Sequence, residues 1–133
     1  MLALKKWLVL TLVFALMSVL IACGSSNGGT KKQEAPIEVS EDEIASGTLE
    51  IVASNWDFDK EYYAIRAGEA IELNVNSIEG VHGIEIVNTE YNNIVNDKPT
   101  TVTITEPGTY EVRCSIPCGG GHRTMKTKIV VVG

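Results

Sequence analysis

From Thr48 onward, apolar and polar residues alternate with period two. Leu49, Ile51 and Ala53 alternate with Glu50, Val52 and Ser54. Ile71, Leu73 and Val75 alternate with Glu72, Asn74 and Asn76. His82, Ile84 and Ile86 share one face, with Gly83 and Glu85 on the other. Val102 and Ile104 stand between threonines. Tyr110, Val112 and Cys114 face one way, Glu111 and Arg113 the other, and Met125, Thr127, Ile129 and Val131 close the chain. Period two places successive side chains on opposite faces, so these segments predict half-buried β-strands. Ala67-Gly68, Glu79-Gly80, Asn92-Asn93 and Lys98-Pro99 separate them, and Pro107-Gly108 sits where a type II turn wants Pro and Gly. Many short strands at this spacing predict an all-β sandwich or barrel.

The residues before Thr48 follow neither period. Residues 24–47 begin Gly/Ser/Asn-rich and turn charged, which predicts a flexible tether. A stretch of that length has an r.m.s. reach of roughly 25–30 Å. Glu41 to Ile44 carries a weak helical-turn signal. Further upstream, Lys5 and Lys6 precede the fifteen-residue, mostly apolar run Trp7 to Ile21. As a helix that run rises about 23 Å, short of a hydrocarbon core of ~30 Å, and favours a signal peptide over a spanning helix. It ends Leu20-Ile21-Ala22-Cys23-Gly24. This resembles a bacterial lipobox, in which cleavage precedes a cysteine that is then lipidated. The competing reading is an uncleaved anchor with an incidental cysteine. The expected organisation is a lipoprotein signal peptide at 1–22, lipidated Cys23 and tether at 23–47, and a β-domain at 48–133. The expected location is the extracytoplasmic face of a bacterial cell membrane.

Composition narrows the function. The 133 residues fit one domain, and 44% hydrophobic with 21% charged residues is ordinary for a globular protein. Eleven Lys and Arg against seventeen Asp and Glu give a charge of −6. Loss of Lys5 and Lys6 on cleavage would take it to −8. Phosphate attraction needs clustered cations, so nucleic acid is not an expected partner. Only three Cys and two His are present, and their placement decides the chemistry.

With Cys23 assigned to the anchor, the informative stretch is Cys114-Ser-Ile-Pro-Cys118-Gly-Gly-Gly-His122-Arg-Thr-Met125. The three consecutive glycines let the backbone fold tightly around a bound object. Two thiolates, an imidazole and a thioether suit copper, Met and Cys favouring Cu(I). A single blue copper needs one Cys, and here the second is surplus. Two thiolates can each bridge two metals, and His82 offers a second imidazole. Separately, the same residues have plainer readings: a disulfide between Cys114 and Cys118, a structural zinc in a Cys2His2 set, and a core-filling Met125.

Taken in order, His82, Cys114, Cys118, His122 and Met125 resemble the copper domain of cytochrome c oxidase subunit II, whose pattern is an upstream His and then C-x3-C-x3-H-x2-M. The resemblance runs from Leu49 to Val132. It includes Glu79 three residues before His82 and the turn with Pro107, Gly108 and Tyr110. It implies a cupredoxin-like Greek-key β-sandwich or barrel with two copper ions in a dinuclear CuA centre. By that analogy Cys114 and Cys118 bridge the metals. His82 and Met125 complete one, and His122 with the Ile116 backbone carbonyl completes the other. Trp56 and Tyr91 are the candidates for electron entry. The sequence departs from the family in two ways: the two-helix hairpin of long members has no counterpart here, and Pro117 removes an N–H inside the ligand loop.

The expected function is electron transfer, as the electron-accepting subunit of a haem–copper oxidase fed by cytochrome c or a similar donor. The second reading is a copper-delivery lipoprotein assisting oxidase assembly. No acid–base pair, Ser-His-Asp order or phosphate loop supports a stand-alone enzyme.

Overall fold

Ile51, Ile71, Leu73, Val75, Val102, Val112 and Ile129 are almost wholly withdrawn from solvent, and each comes from one phase of a period-two segment. Burying an aliphatic side chain of this size contributes about 1.5–3 kcal/mol. That gain fixes which face of each strand turns inward. A computed structural model describes residues Pro36–Gly133, which form one unit. The expected signal peptide and Cys23 lie outside the described residues. Among the described residues no helix is long and apolar enough to cross a membrane.

Among the described residues ten strands follow in chain order: β1 (Ile44–Ala45), β2 (Thr48–Ser54), β3 (Asp57–Phe58), β4 (Tyr63–Arg66), β5 (Ala70–Ser77), β6 (Gly83–Ile86), β7 (Ile94–Val95), β8 (Thr100–Thr103), β9 (Gly108–Cys114) and β10 (Lys126–Val132). They form a six-stranded sheet in the order β1-β4-β10-β9-β6-β7 and a four-stranded sheet in the order β3-β2-β5-β8. The chain passes repeatedly between the sheets, so five of the eight strand pairings join strands that are not consecutive in sequence. β2 pairs with β5 in parallel, β4 with β10 in parallel, and β9 with β10 antiparallel. This is the expected all-β sandwich.

The tether reading does not hold to its end. Ser40 caps a 3-10 turn at Glu41–Glu43, with the Glu43 carboxylate accepting from the Ser40 N–H. β1 then pairs with β4, Ile44 opposite Ala64 and Ala45 opposite Ile65. Arg66 pairs with Glu41, and Tyr62 donates to Glu43 at 2.8 Å. The folded unit therefore starts before residue 48. The Pro107–Gly108 turn also differs from type II. Gly108 has φ +156° and already belongs to β9, while Tyr110 donates its hydroxyl to the Glu106 carbonyl at 2.9 Å.

One end of the larger sheet carries the chemistry-bearing residues. β6, β9 and β10 are adjacent there, with Ile84 opposite Cys114. Ser115 N–H donates to Gly83 O at 2.9 Å, and Cys114 N–H donates to Met125 O at 3.2 Å. His82 immediately precedes β6, Cys114 ends β9, and Met125 immediately precedes β10. The sheet hydrogen bonds alone bring these three residues together.

Candidate metal centre

His82 is completely buried. Its Nε2 lies 2.9 Å from the Glu79 carbonyl oxygen. A carbonyl only accepts, so this contact assigns the proton to Nε2 and leaves a lone pair on Nδ1. That Nδ1 faces Cys114 Sγ at 3.8 Å. The Glu79 contact to His82 is made by its main-chain carbonyl rather than by its carboxylate. Holding the outer nitrogen of a ligating imidazole by a backbone carbonyl sets its tautomer and ring orientation.

The two thiols are free, with Sγ atoms 3.5 Å apart. A disulfide needs about 2.05 Å, so the disulfide reading does not describe this state. Cys114 Sγ also lies 3.2 Å from the Ile116 carbonyl oxygen, which turns that carbonyl toward the sulfurs. On the far side, Cys118 Sγ lies 3.7 Å from His122 Nδ1. The Cys118 thiol is pushed up to about 11, by desolvation first and then by the hydrogen bond and charge of Cys114. A metal has to displace such protons, as thiolate ligation requires.

The donor atoms of His82, Cys114 and Cys118 all lie within 4.8 Å of one another. His122 extends this group past Cys118. Met125 is buried and lines a pocket with Cys114 and His122, whose rim carries Glu85, Arg113 and Arg123. Every ligand candidate from the sequence thus gathers at one end of the sandwich. Thiolate, imidazole and thioether are the donors that copper prefers, so the residues present fit that metal.

Trp56 also reaches this end of the molecule. It is 44% exposed, and its Nε1–H donates to the Cys118 carbonyl at 2.9 Å. Ile78 and Val81, at 67% and 66%, are the other exposed large hydrophobics among the described residues, and they flank the His82 loop. Tyr91 lies in the loop between β6 and β7. Its hydroxyl accepts from Thr103 N–H at 2.9 Å and lies 3.2 Å from the Thr103 carbonyl, so it fastens its loop to β8. Sequence reasoning missed Gly83: a Cβ there would come within 3.0 Å of Ile116 Cδ1 and Ser115 Oγ, so this glycine lets the Ser115–Ile116 segment pack closely against the start of β6. Its only sequence signal was a glycine in phase with a strand beside the histidine.

A two-sheet β-sandwich with a His-Cys-Cys cluster at the adjoining ends of β6 and β9 and in the loop after β9 defines a cupredoxin-like copper domain, of the CuA-like kind that the motif resembles. The solved structures agree in fold. A chain of a haem–copper terminal oxidase dimer, determined by cryo-EM, superposes with TM-score 0.55 at 25% identity, covering 98% of this chain and 97% of that one. The periplasmic domain of cytochrome oxidase subunit II from Bradyrhizobium japonicum gives TM-score 0.54 at 16% identity, over 66% of this chain and 85% of that one. Auracyanin A, a blue copper protein from Chloroflexus aurantiacus, gives 0.53 at 21% identity, over 66% and 100%. No protein-family profile and no curated protein matches the sequence.

Proposed function

We propose that this domain is an electron-transfer module with a dinuclear CuA centre, acting as the electron-accepting subunit of a haem–copper oxidase. The observation that carries this reading is the order His82–Cys114–Cys118–His122. Two sulfurs 3.5 Å apart stand between two imidazoles, each imidazole beside a different sulfur. One blue copper would leave a thiol without a role. One structural zinc would need four donors around a point, and His122 lies outside the mutual 4.8 Å group. Two metals sharing both sulfurs use every donor. In this reading Cys114 and Cys118 would be shared by two coppers, His82 and Met125 would complete one, and His122 and the Ile116 carbonyl would complete the other.

Copper at this site would supply one-electron redox chemistry. The chain's own residues do the rest. Burial of His82, Cys114 and Met125 limits water at these three donors, while Cys118 and His122 are half-buried. The Glu79 carbonyl holds the His82 ring, and the strand hydrogen bonds hold Cys114 against Met125. Electrons enter at Trp56, an exposed ring one hydrogen bond from the Cys118 main chain. An acidic chain attracts a basic donor, and cytochrome c or a similar protein fits that description. Cys23 carries the lipid after removal of residues 1–22, and the stretch from Cys23 to the 3-10 turn tethers the domain to the extracytoplasmic face of the membrane.

The test is rapid mixing of the copper-loaded chain with reduced cytochrome c, alongside a copper challenge with a strong chelator. Electron uptake within a second, with copper retained for hours, is the expected result. Copper given up readily to the chelator, without electron uptake, would overturn this reading in favour of copper delivery.

A further inference from the structure

The Cys118–His122 loop is shaped by a residue far away in sequence. The Trp56 indole lies across Gly119 and Gly121, between the two loop donors. A Cβ on Gly121 would fall 2.4 Å from Trp56 Cβ and 2.5 Å from its Cγ. A Cβ on Gly119 would fall 3.0 Å from Trp56 Nε1, and Gly119 has φ +123° besides. A Cβ on Gly120 would meet nothing within 4 Å. Two of the three glycines are thus needed to admit the ring, and the middle one is not. The indole N–H is itself used on the loop, donating to Cys118 O at 2.9 Å. Core filling does not account for the ring, since it is 44% exposed. The loop's other ties are local: His122 N–H to Gly119 O at 3.2 Å, and Thr124 and Met125 N–H to Gly121 O at 3.0 and 3.1 Å.

We propose that Trp56 is a positioning residue for the metal centre, a clamp that holds the Gly119–Gly121 arch so that Cys118 and His122 converge before metal arrives. The proposal rests on the reading of Cys118 and His122 as ligands. A donor pair held in place in the metal-free chain spends no ordering entropy at the moment of binding. The Trp56–Cys118 hydrogen bond fixes the main chain of a ligand, as outer partners of metal ligands do. Electron entry and copper retention then depend on one side chain.

The test uses full-length chains carrying Trp56→Ala, Trp56→Phe, Gly121→Ala, Gly120→Ala, and the double change Trp56→Ala with Gly121→Ala. Two readouts are taken. The first is copper affinity by chelator competition, with the EPR spectrum and reduction potential of the loaded protein. The second needs no metal: the alkylation rate of the Cys118 thiol in the metal-free chain, assigned by peptide mass mapping. Trp56→Ala and Gly121→Ala each lose copper affinity by about tenfold or more, the range seen when outer partners of metal ligands are removed. Both also speed Cys118 alkylation, and Gly120→Ala does neither. The double variant is no worse than Trp56→Ala, because the clash that Gly121→Ala creates is with the ring that has gone. Trp56→Phe keeps a ring on the loop but no N–H, so it holds copper and shifts the potential. Wild-type affinity and alkylation in both Trp56→Ala and Gly121→Ala would overturn the clamp. An unshifted potential in Trp56→Phe would overturn the role of the hydrogen bond. A wild-type chain that takes up no copper would instead overturn the metal reading, and the alkylation rates would still decide the clamp.

Discussion

His82 and Cys114, thirty-two residues apart, face each other across the β6–β9 pair with Nδ1 3.8 Å from Sγ, while the Glu79 carbonyl keeps the histidine proton on the opposite nitrogen. The arrangement gives the donors unequal weight. A bridging thiolate contributes charge and two metal contacts, an imidazole one contact, and a thioether a weak neutral one. Cys114→Ser and Cys118→Ser should therefore abolish the proposed dinuclear centre, and His82→Ala should be intermediate. Met125→Leu should keep two coppers with a shifted potential and a stability cost below about 1.5 kcal/mol. Copper content and EPR on the four variants rank them. Equal damage from Met125→Leu and Cys114→Ser would contradict the assigned roles.

The start of the folded unit is testable by truncation. Removing residues 1–35 leaves β1 in place; removing 1–47 takes away the Ile44 and Ala45 pairing and exposes the β4 edge. The second chain should be less stable by about 1–2 kcal/mol, from the half-buried apolar area lost. It should also aggregate more readily, as an uncovered edge strand does. Urea midpoints of the two fragments provide the comparison; identical midpoints would mean that β1 contributes nothing.

Tyr63 offers a prediction in pH. Its ring is buried, and its hydroxyl donates to Asp59, whose Oδ1 also accepts from Val52 N–H at 3.1 Å. Burial first, and then the Asp59 hydrogen bond and charge, hold the phenol well above its ordinary value of 10.0. The folded value is the raised one, so this stabilisation is complete below pH 10 and is lost as pH rises above it. Tyr63→Phe should cost about 1 kcal/mol at neutral pH through the lost hydrogen bond. It should also flatten the decline in stability above pH 10. An unchanged alkaline slope in Tyr63→Phe would assign that decline to other groups.

The anchor is tested in cells. Each buried CH₂ of an acyl chain adds about 0.8 kcal/mol to membrane binding. Cys23→Ala should release or mislocalise the protein, seen by fractionation and mass spectrometry. Full-length, membrane-bound Cys23→Ala protein would make Trp7 to Ile21 the anchor.

The strands legible in the sequence are those with one wet face. β2, β5, β9 and β10 alternate, and all were expected. β4 was not: Tyr63, Ala64 and Ile65 are all buried, so Tyr-Ala-Ile-Arg shows no alternation, although the strand lies between β1 and β10. β1 is two residues long inside an acidic stretch, and only its pairing with β4 reveals it. At the site, the donors were legible because metal chemistry restricts residue type and spacing. Main-chain contributions were less so. The Ile116 carbonyl was known only by resemblance, and the Glu79 carbonyl was hidden behind an acidic side chain. The Trp56 contact spans sixty-two residues and leaves no mark on local pattern beyond glycines that fit many loops.

The measurement that bears most directly on the central claim is copper stoichiometry with EPR on the loaded full-length chain. Two coppers per chain, purple when oxidised, with one unpaired electron shared equally by both, is the predicted result. One copper per chain with a blue, single-copper spectrum would contradict the dinuclear centre and leave this fold as an ordinary blue copper domain.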